Sequence, residues 1–577
     1  MTAEEIRRRI LEVTLANGGH LASSLGAVEI AMALDEVFDA TRDRIVWDVG
    51  HQAYAWKILT GRGADFATLR RFGGLSGFPN PKESKADASV AGHAGVAISV
   101  AEGMAAARER RGEKHHVVAV VGDAAIANGT SFEALNNCAN ACGKVIIVLN
   151  DNEMSISRPI GALSRLFGRL VTGVRYNRVK AAAERTGHRL RLSFLSGIYH
   201  RIESRIKGLF VGSAFFERFG IRYIGPVDGH SLPALRQALT VAKLDKRSVL
   251  VHVVTKKGKG YEPAERDPVA WHGIGPQKAA DGDAAPAPAA KGWSEAFGAA
   301  LTEAARQNAR VVALTAGMRT GTGLDAFAKE FPDRFFDAGI AEGHLVSFAS
   351  GLAAGGMRPV VAIYSTFLQR AIDQVMHDVC IAKLPVVFCV DRAGVVGADG
   401  VTHQGLYDLA MLRCLPNLTI CQPKDEADFV SLLREALTRK GPTVIRYPRG
   451  KVPAAAVSVA GPVASDAPRG TNFAIWATGD QLGKAEEVAR RLGGAEVVHA
   501  RYLKPFDAET LALQRAVGKR IVSIENGALA GGFGEAIGAD MKFGWPDVFI
   551  PHGEVAELER AYGLDVDSIV ARLEALR

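Results

Sequence analysis

Asp123 and Asn152 are the residues whose types and spacing most directly suggest chemistry. Asp123 follows the apolar run VVAVVG (Val117 to Gly122) and precedes Ala124 and Ala125; Asn152 follows the next run, KVIIVLN (Lys144 to Asn150). One strand–helix–strand step separates them, so both are expected at strand C-termini on one edge of a parallel sheet. A carboxylate and an amide carbonyl are hard oxygen ligands suited to Mg²⁺, and the N–H groups after Asp123 open toward an anion at the start of a helix expected to run through Phe132 and Leu135. Such a corner would hold a metal diphosphate. The alternative reading of Asp123 is a helix N-cap, which the pairing with Asn152 disfavours.

Other candidates are weaker in isolation. His51, His93 and His403 each lie beside glycines in expected strand-end loops, where a side chain can approach a ligand closely, although a lone loop histidine more often makes a local hydrogen bond. Glu342, in FFDAGIAEGH, reads by itself as a solvent-facing helix residue after the first strand of its domain. Phe367 reads as core, early in a helix capped by Ser365 or Thr366. Arg370, three positions on, shares its face. Lys256 or Lys257 could supplement a metal's charge on a diphosphate.

The elements that must position these residues are legible in outline. Of 577 residues, 48% are apolar and 23% charged, with 62 Gly and 23 Pro, a composition that excludes disorder for most of the chain. VVAVVG, KVIIVLN, RVVALTAG (Arg310 to Gly317), PVVAIYS (Pro359 to Ser365) and LPVVFCVDR (Leu384 to Arg392) are short β-branched runs alternating with helix-like stretches. They predict buried parallel strands in an α/β fold of doubly wound sheets. The low-complexity stretch DGDAAPAPAAKG (Asp281 to Gly292) reads as a linker. A second composition shift precedes FAIWATGD, AEVVHARY and RIVSIENG, so domains are expected at 1–285, 286–455 and 456–577. The glycine-rich Gly527 to Gly538 lacks a complete dinucleotide fingerprint and reads as a helix start in a structural domain.

Charge is uneven. Between Arg158 and Arg222 there are 14 Lys and Arg against 3 Glu, a surplus of 11 in a chain whose net charge is +8, so the remainder is slightly acidic. That segment, 158–222, looks inserted into the first domain, either as a solvated cover for a site entrance or as a contact for something anionic. No nucleic-acid partner and no membrane are expected. Six cysteines without a C-x-x-C read as reduced core thiols, and Met1 to Val13 has the charge pattern of a helix rather than a signal peptide, so a cytoplasmic location is expected.

The Asp123 and Asn152 pair is similar to the signature that brackets the metal in thiamine-diphosphate enzymes. GHQAYAWKILTGR (Gly50 to Arg62), GLSGFPNPKES (Gly74 to Ser84), NDNEMSIS (Asn150 to Ser157), IGPVDGH (Ile224 to His230), TKKGKGYEPAE (Thr255 to Glu265), YSTFLQRAIDQVMHDV (Tyr364 to Val379), DRAGVVGADGVTHQG (Asp391 to Gly405) and RYPRG (Arg446 to Gly450) narrow the match. In this order they resemble the 1-deoxy-D-xylulose-5-phosphate synthase family, of transketolase-like fold.

The resemblance implies residue roles. Asp123, Asn152 and the Met154 carbonyl would bind Mg²⁺; Ala124 and Ala125 amides would meet the diphosphate; Ser76, Gly92, His93, Ala94 and Tyr261 would line the cofactor. Glu342 would contact the aminopyrimidine ring, favouring the tautomer that takes the thiazolium proton, and Phe367 would stack on that ring. His51, His93 and His403 would shuttle protons, with His403 and Asp399 toward the acceptor aldehyde, Arg370 projecting into the same cleft, and Tyr364, Arg392 and Arg449 on the acceptor's phosphate. The implied reaction joins pyruvate to D-glyceraldehyde 3-phosphate with loss of CO₂, in a homodimer. Rival readings are a transketolase-like two-carbon transfer from a ketose phosphate, and a silent thiamine-diphosphate binder with an anionic partner. Four places depart from the family's pattern: Ala124 replaces a glycine, Ala94-Gly95-Val96 stands where serines and a threonine are common, Gly343 where Gln is frequent, and Ser76 where a cofactor-facing His is usual. Ala124 is expected to matter only if that position needs φ > 0 or the missing methyl's space.

Overall fold

A computed structural model describes residues 1–138, 143–152, 211–277, 291–453 and 472–576. It divides into two compact units, Met1–Arg70 with Gly74–Ala280, and Arg71–Gly73 with Asp281–Arg577. Most of the basic segment 158–222, together with Met154 and Cys142, lies outside the described residues.

The first unit is built on five parallel strands, β1 (Arg44–Trp47), β2 (Val117–Gly122), β3 (Ile146–Asp151), β4 (Arg222–Asp228) and β5 (Val249–Val254), in the order β1-β2-β3-β5-β4. Alternate side chains leave on opposite faces, and both faces are covered. Val118, Val120, Ile146 and Val148 enter one core, and Val117, Ala119, Ile147 and Leu149 the other. That two-sided burial explains why the runs are continuously apolar instead of alternating. The helix expected after β2 is two helices, Asp123–Ile126 and Gly129–Asn137. Asn128 breaks it: its side chain accepts from the Thr130 N–H (3.0 Å), while Ser131 Oγ donates back to the Ala125 carbonyl (2.8 Å).

The second unit holds two sheets. β6 (Val311–Thr315), β7 (Phe335–Asp337), β8 (Arg358–Tyr364), β9 (Val387–Asp391), β10 (Thr419–Cys421) and β11 (Thr443–Arg446) are parallel. β12 (Phe473–Thr478), β13 (Glu496–Ala500), β14 (Tyr502–Lys504), β15 (Arg520–Ala528) and β16 (Met541–Trp545) follow. β14 leaves its neighbours and pairs antiparallel with β10, giving the order β14-β10-β11-β9-β8-β6-β7, and the remaining four form β13-β12-β15-β16. AEVVHARY, expected as one strand, is therefore split at Arg501 between two sheets. Ala474, Trp476, Val498 and Ile521 from the small sheet share one core with Leu314, Val361 and Phe388 from the large one, so packing is continuous across residue 455.

Among the described residues no helix is long and apolar enough to cross a membrane. Cys138, Cys380, Cys389 and Cys421 are buried free thiols, and Cys414 is an exposed one.

Candidate active site

In the first unit, Gly122 pairs with Asn150, so Asp123 and Asn152 emerge from neighbouring strand ends. Asp123 Oδ1 accepts from the Ala124 N–H (2.9 Å), while Oδ2 is enclosed with no hydrogen-bond partner. Burial, with Asp151 as a second acidic neighbour, pushes the Asp123 carboxyl up to about 7. Lys257 provides opposing charge: burial brings its ammonium down to about 8, against the pull of Asp123. Lys256 instead pairs with Glu265 at the surface. A buried acidic oxygen without a partner, opposed by a lysine and one strand away from the segment of Asn152, fits a divalent cation holding an anion. One expectation is modified here and one condition is resolved. The Ala124 N–H is turned to Asp123 rather than open, and Ala124 is not among the residues with positive φ, so its methyl carries no conformational strain.

The loop bearing Gly92, His93 and Ala94 is tied to the end of β1: Asp48 accepts from the Gly95 and Ala97 N–H groups (2.8 and 3.0 Å). Gly95 has φ +82°, and a Cβ there would stand 2.5 Å from Asn128 Oδ1, so glycine at the centre of that departure is required by the turn. Ser76 spends its hydroxyl locally on the Phe78 carbonyl (2.5 Å), and its N–H donates to Glu83, which also pairs with the fully buried Lys57 (2.5 Å). Tyr261 packs edge-on to Trp271, at 5.1 Å between ring centroids.

His51 lies among residues that had not been singled out. Its ring is 5.9 Å from His20 and 5.4 Å from His272, and those two are 5.6 Å apart. Burial first, then the neighbouring imidazoles and Lys257, hold His51 and His272 well below the usual histidine range. The depression favours the neutral imidazole in both. His20 follows Gly19 and His272 precedes Gly273; the histidine-beside-glycine rule that selected His51, His93 and His403 would have found them too.

In the second unit the candidates gather at the C-terminal ends of β8 and β9, where Tyr364 pairs with Asp391. Glu342 begins the helix Glu342–Ala354 and is 4% exposed. This corrects the solvent-facing reading, and the residue follows β7, the second strand of the sheet rather than the first. Burial raises its pKa, opposed by Arg370, whose guanidinium lies 3.6 Å away. The helix bearing Phe367 is capped by Tyr364, not by Ser365 or Thr366. Phe367 is partly buried, stacked on Tyr364 (5.6 Å, 8°) and edge-on to His403 (5.8 Å, 80°). Gly343 faces Gln374: a Cβ would lie 3.2 Å from its Oε1, so that amide occupies space beside Gly343.

The two acceptor-side arginines differ. Arg392, in the left-handed region at φ +57°, lies 4.2 Å over the Tyr364 ring; its Nη1 donates to Asp391, Ser294 and the Gly321 carbonyl (2.6, 2.7 and 2.9 Å). Arg449 is half-exposed, donates to the Val396 carbonyl (3.1 Å) and approaches Asp399 to 3.9 Å. His403 Nδ1 is 2.8 Å from Thr402 Oγ1. The glycine-rich Gly527 to Gly538 contains the short helix Phe533–Ala536, whose first N–H groups donate to buried Glu525 (2.6 and 2.8 Å).

Comparison with known proteins places these residues in a relationship. Residues 1–255 match the family model described as 1-deoxy-D-xylulose-5-phosphate synthase, 289–454 the transketolase pyrimidine-binding domain and 463–569 the transketolase C-terminal domain. The chain is 46% identical to the 1-deoxy-D-xylulose-5-phosphate synthase of Desulforudis audaxviator, over 99% of this chain and 94% of that protein. It is 45% identical to 1-deoxy-D-xylulose-5-phosphate synthase 1 of Geobacter metallireducens, over 99% and 95%. Among solved structures, transketolase from Leishmania mexicana aligns with 99% of this chain and 97% of its own at 19% identity and a TM-score of 0.45.

Proposed function

From its membership of the 1-deoxy-D-xylulose-5-phosphate synthase family, to which the chain belongs by full-length identity, we propose that it condenses pyruvate with D-glyceraldehyde 3-phosphate, releasing CO₂ and 1-deoxy-D-xylulose 5-phosphate. It is a transferase of the thiamine-diphosphate-dependent, transketolase-like class. One feature of the geometry carries the reading: the enclosed, unpartnered Asp123 Oδ2, opposed in charge by Lys257, at the strand end next to the one that leads to Asn152. When bound, thiamine diphosphate supplies the carbon centre and electron sink that decarboxylation of a 2-oxo acid requires.

The residues of the chain bind, orient and move protons. Asp123 and Asn152, with the Met154 carbonyl, would hold Mg²⁺; the loop of Gly92, His93 and Ala94, with Ala125, Tyr261 and Ser76, would line the cofactor. Glu342, whose pKa burial raises, would hold a proton at a pyrimidine ring nitrogen, and Phe367 would support that ring. His51, His93 and His403 would exchange protons with the reacting oxygen atoms. Arg449 and Arg392 would grip the acceptor's phosphate, with Tyr364, Arg370 and Asp399 shaping the acceptor end. We place these roles on domains 1–285, 286–455 and 456–577 of a cytoplasmic homodimer.

The test is incubation with pyruvate and glyceraldehyde 3-phosphate, with and without thiamine diphosphate and Mg²⁺. Product and CO₂ that need all four components are expected. A ketose phosphate replacing pyruvate would make the enzyme a transketolase, and cofactor binding without turnover would make it a silent binder.

A further inference from the structure

The C-terminal sheet reaches into the acceptor end of the second unit by apolar packing on Val395 and Leu406 and through one polar side chain, Asn526. Residues 394–405 form a loop closed at its neck by reciprocal backbone hydrogen bonds between Gly394 and Gly405 (2.7 and 2.8 Å), and this loop carries Asp399 and His403 just after Arg392. A loop of this kind has buried backbone donors that no strand ladder satisfies, so side chains must accept from them and thereby fix its path. Two do so. Asn526, buried on β15, accepts from the Val395 N–H at Oδ1 (2.9 Å), and Gln404 Oε1 accepts from the Val396 N–H (2.7 Å) while its amide nitrogen donates to the Pro551 carbonyl (3.0 Å).

Asn526 is itself held rigidly. Trp545 Nε1 donates to the same Oδ1 (3.1 Å), Nδ2 donates to Asp480 (2.9 Å), and the Asn526 carbonyl accepts from Arg446 (3.1 Å), three residues before Arg449. The next contact along β15 is also to this region, the Ala528 N–H donating to the Leu406 carbonyl (3.0 Å). The loop presses closely on the amide: Gly394 has φ +97°, and a Cβ there would lie 2.2 Å from Asn526 Nδ2. The same residue thus holds the loop of Asp399 and His403 with its side chain and the segment leading to Arg449 with its backbone.

We propose that Asn526 is a positioning residue for acceptor binding, setting the loop of Asp399 and His403 against Arg449 from the C-terminal sheet, without touching substrate itself. The inference rests on the acceptor assignment above. Asn526→Ala is expected to raise the KM for glyceraldehyde 3-phosphate about tenfold, the scale of one lost buried hydrogen bond, while the KM for pyruvate stays within about twofold. Hydrogen exchange over 394–405 should also quicken. If Asn526→Ala does not fold, Gln404→Leu, which removes the acceptor for Val396, is read in the same way.

Equal rises in both KM values, or a fall in kcat alone that tracks lost folded protein, would overturn the proposal. So would unchanged exchange over 394–405. A wild-type protein that makes no product sinks the functional reading instead, and exchange, which needs no substrate, then decides whether Asn526 holds the loop.

Discussion

Glu342 shows how far a residue's role depends on its surroundings. A carboxyl at the start of a helix is ordinarily solvated and ionised, but burial raises this one, and Arg370 at 3.6 Å offsets only part of the cost. Glu342→Gln should retain thiamine diphosphate within about threefold in affinity yet lose 100-fold or more in turnover, the usual order for removing an acid–base group. Titration calorimetry and the rate of deuterium exchange at the thiazolium carbon of bound cofactor check the two halves; near-normal exchange would remove the assignment. The two arginines should separate likewise. Arg449→Ala, at a half-exposed site, should impair glyceraldehyde 3-phosphate more than non-phosphorylated glyceraldehyde, by about tenfold or more. Arg392→Ala should add a stability loss of about 3 kcal/mol, because Asp391 is fully buried and would lose its charged partner. Steady-state kinetics with both acceptors, and urea midpoints for both variants, distinguish these outcomes.

At the scale of elements, short helices placed after strands do the positioning. Asp123–Ile126 and Ser365–Leu368 each have four residues and follow β2 and β8 directly, so a strand end delivers its side chains to the sheet edge with little intervening chain. Phe533–Ala536 is as short but is separated from β15 by four residues, and its N–H groups face the chain's own Glu525. Burial raises that carboxyl to about 7 from an ordinary 4.5, opposed by the two N–H donors. The native state therefore binds more protons than the unfolded chain between those values. The stabilisation is full below about pH 4.5 and is lost as pH rises through 7, with a ceiling of about 3 kcal/mol. Urea midpoints at pH 5 and pH 7.5 should differ less in Glu525→Gln than in the parent protein; an identical difference would mean Glu525 titrates normally.

At the scale of the whole molecule, function and stability should be linked through the cofactor. A ligand that binds only the native state stabilises it by mass action, by about 2.7 kcal/mol at a hundred times its Kd. Thiamine diphosphate and Mg²⁺ together should raise the thermal midpoint by several degrees. Asp123→Ala should abolish that rise, since a diphosphate would face a site without its metal ligand. Scanning fluorimetry with each component alone and both together is sufficient, and an undiminished shift in Asp123→Ala would place the metal elsewhere.

Strand identity, the α/β class and the strand-end corner of Asp123 and Asn152 are written locally. Continuous apolar runs report two-sided burial, and the steps from Asp123 to Asn152 and from Phe367 to Arg370 are short enough for spacing alone to relate them. Full-length resemblance suggested the roles proposed for Glu342, Arg392 and Arg449, whose types say little by themselves. What tertiary structure decided was environment and partnership between distant segments. It buried Glu342, chose Lys257 over Lys256, gathered His20 and His272 around His51, and sent β14 into a different sheet from β13. It also set Asn526 against a loop 131 residues earlier, at Val395. Periodicity and spacing describe neighbours along the chain, whereas desolvation, charge coupling and hydrogen-bond satisfaction depend on what packs across it.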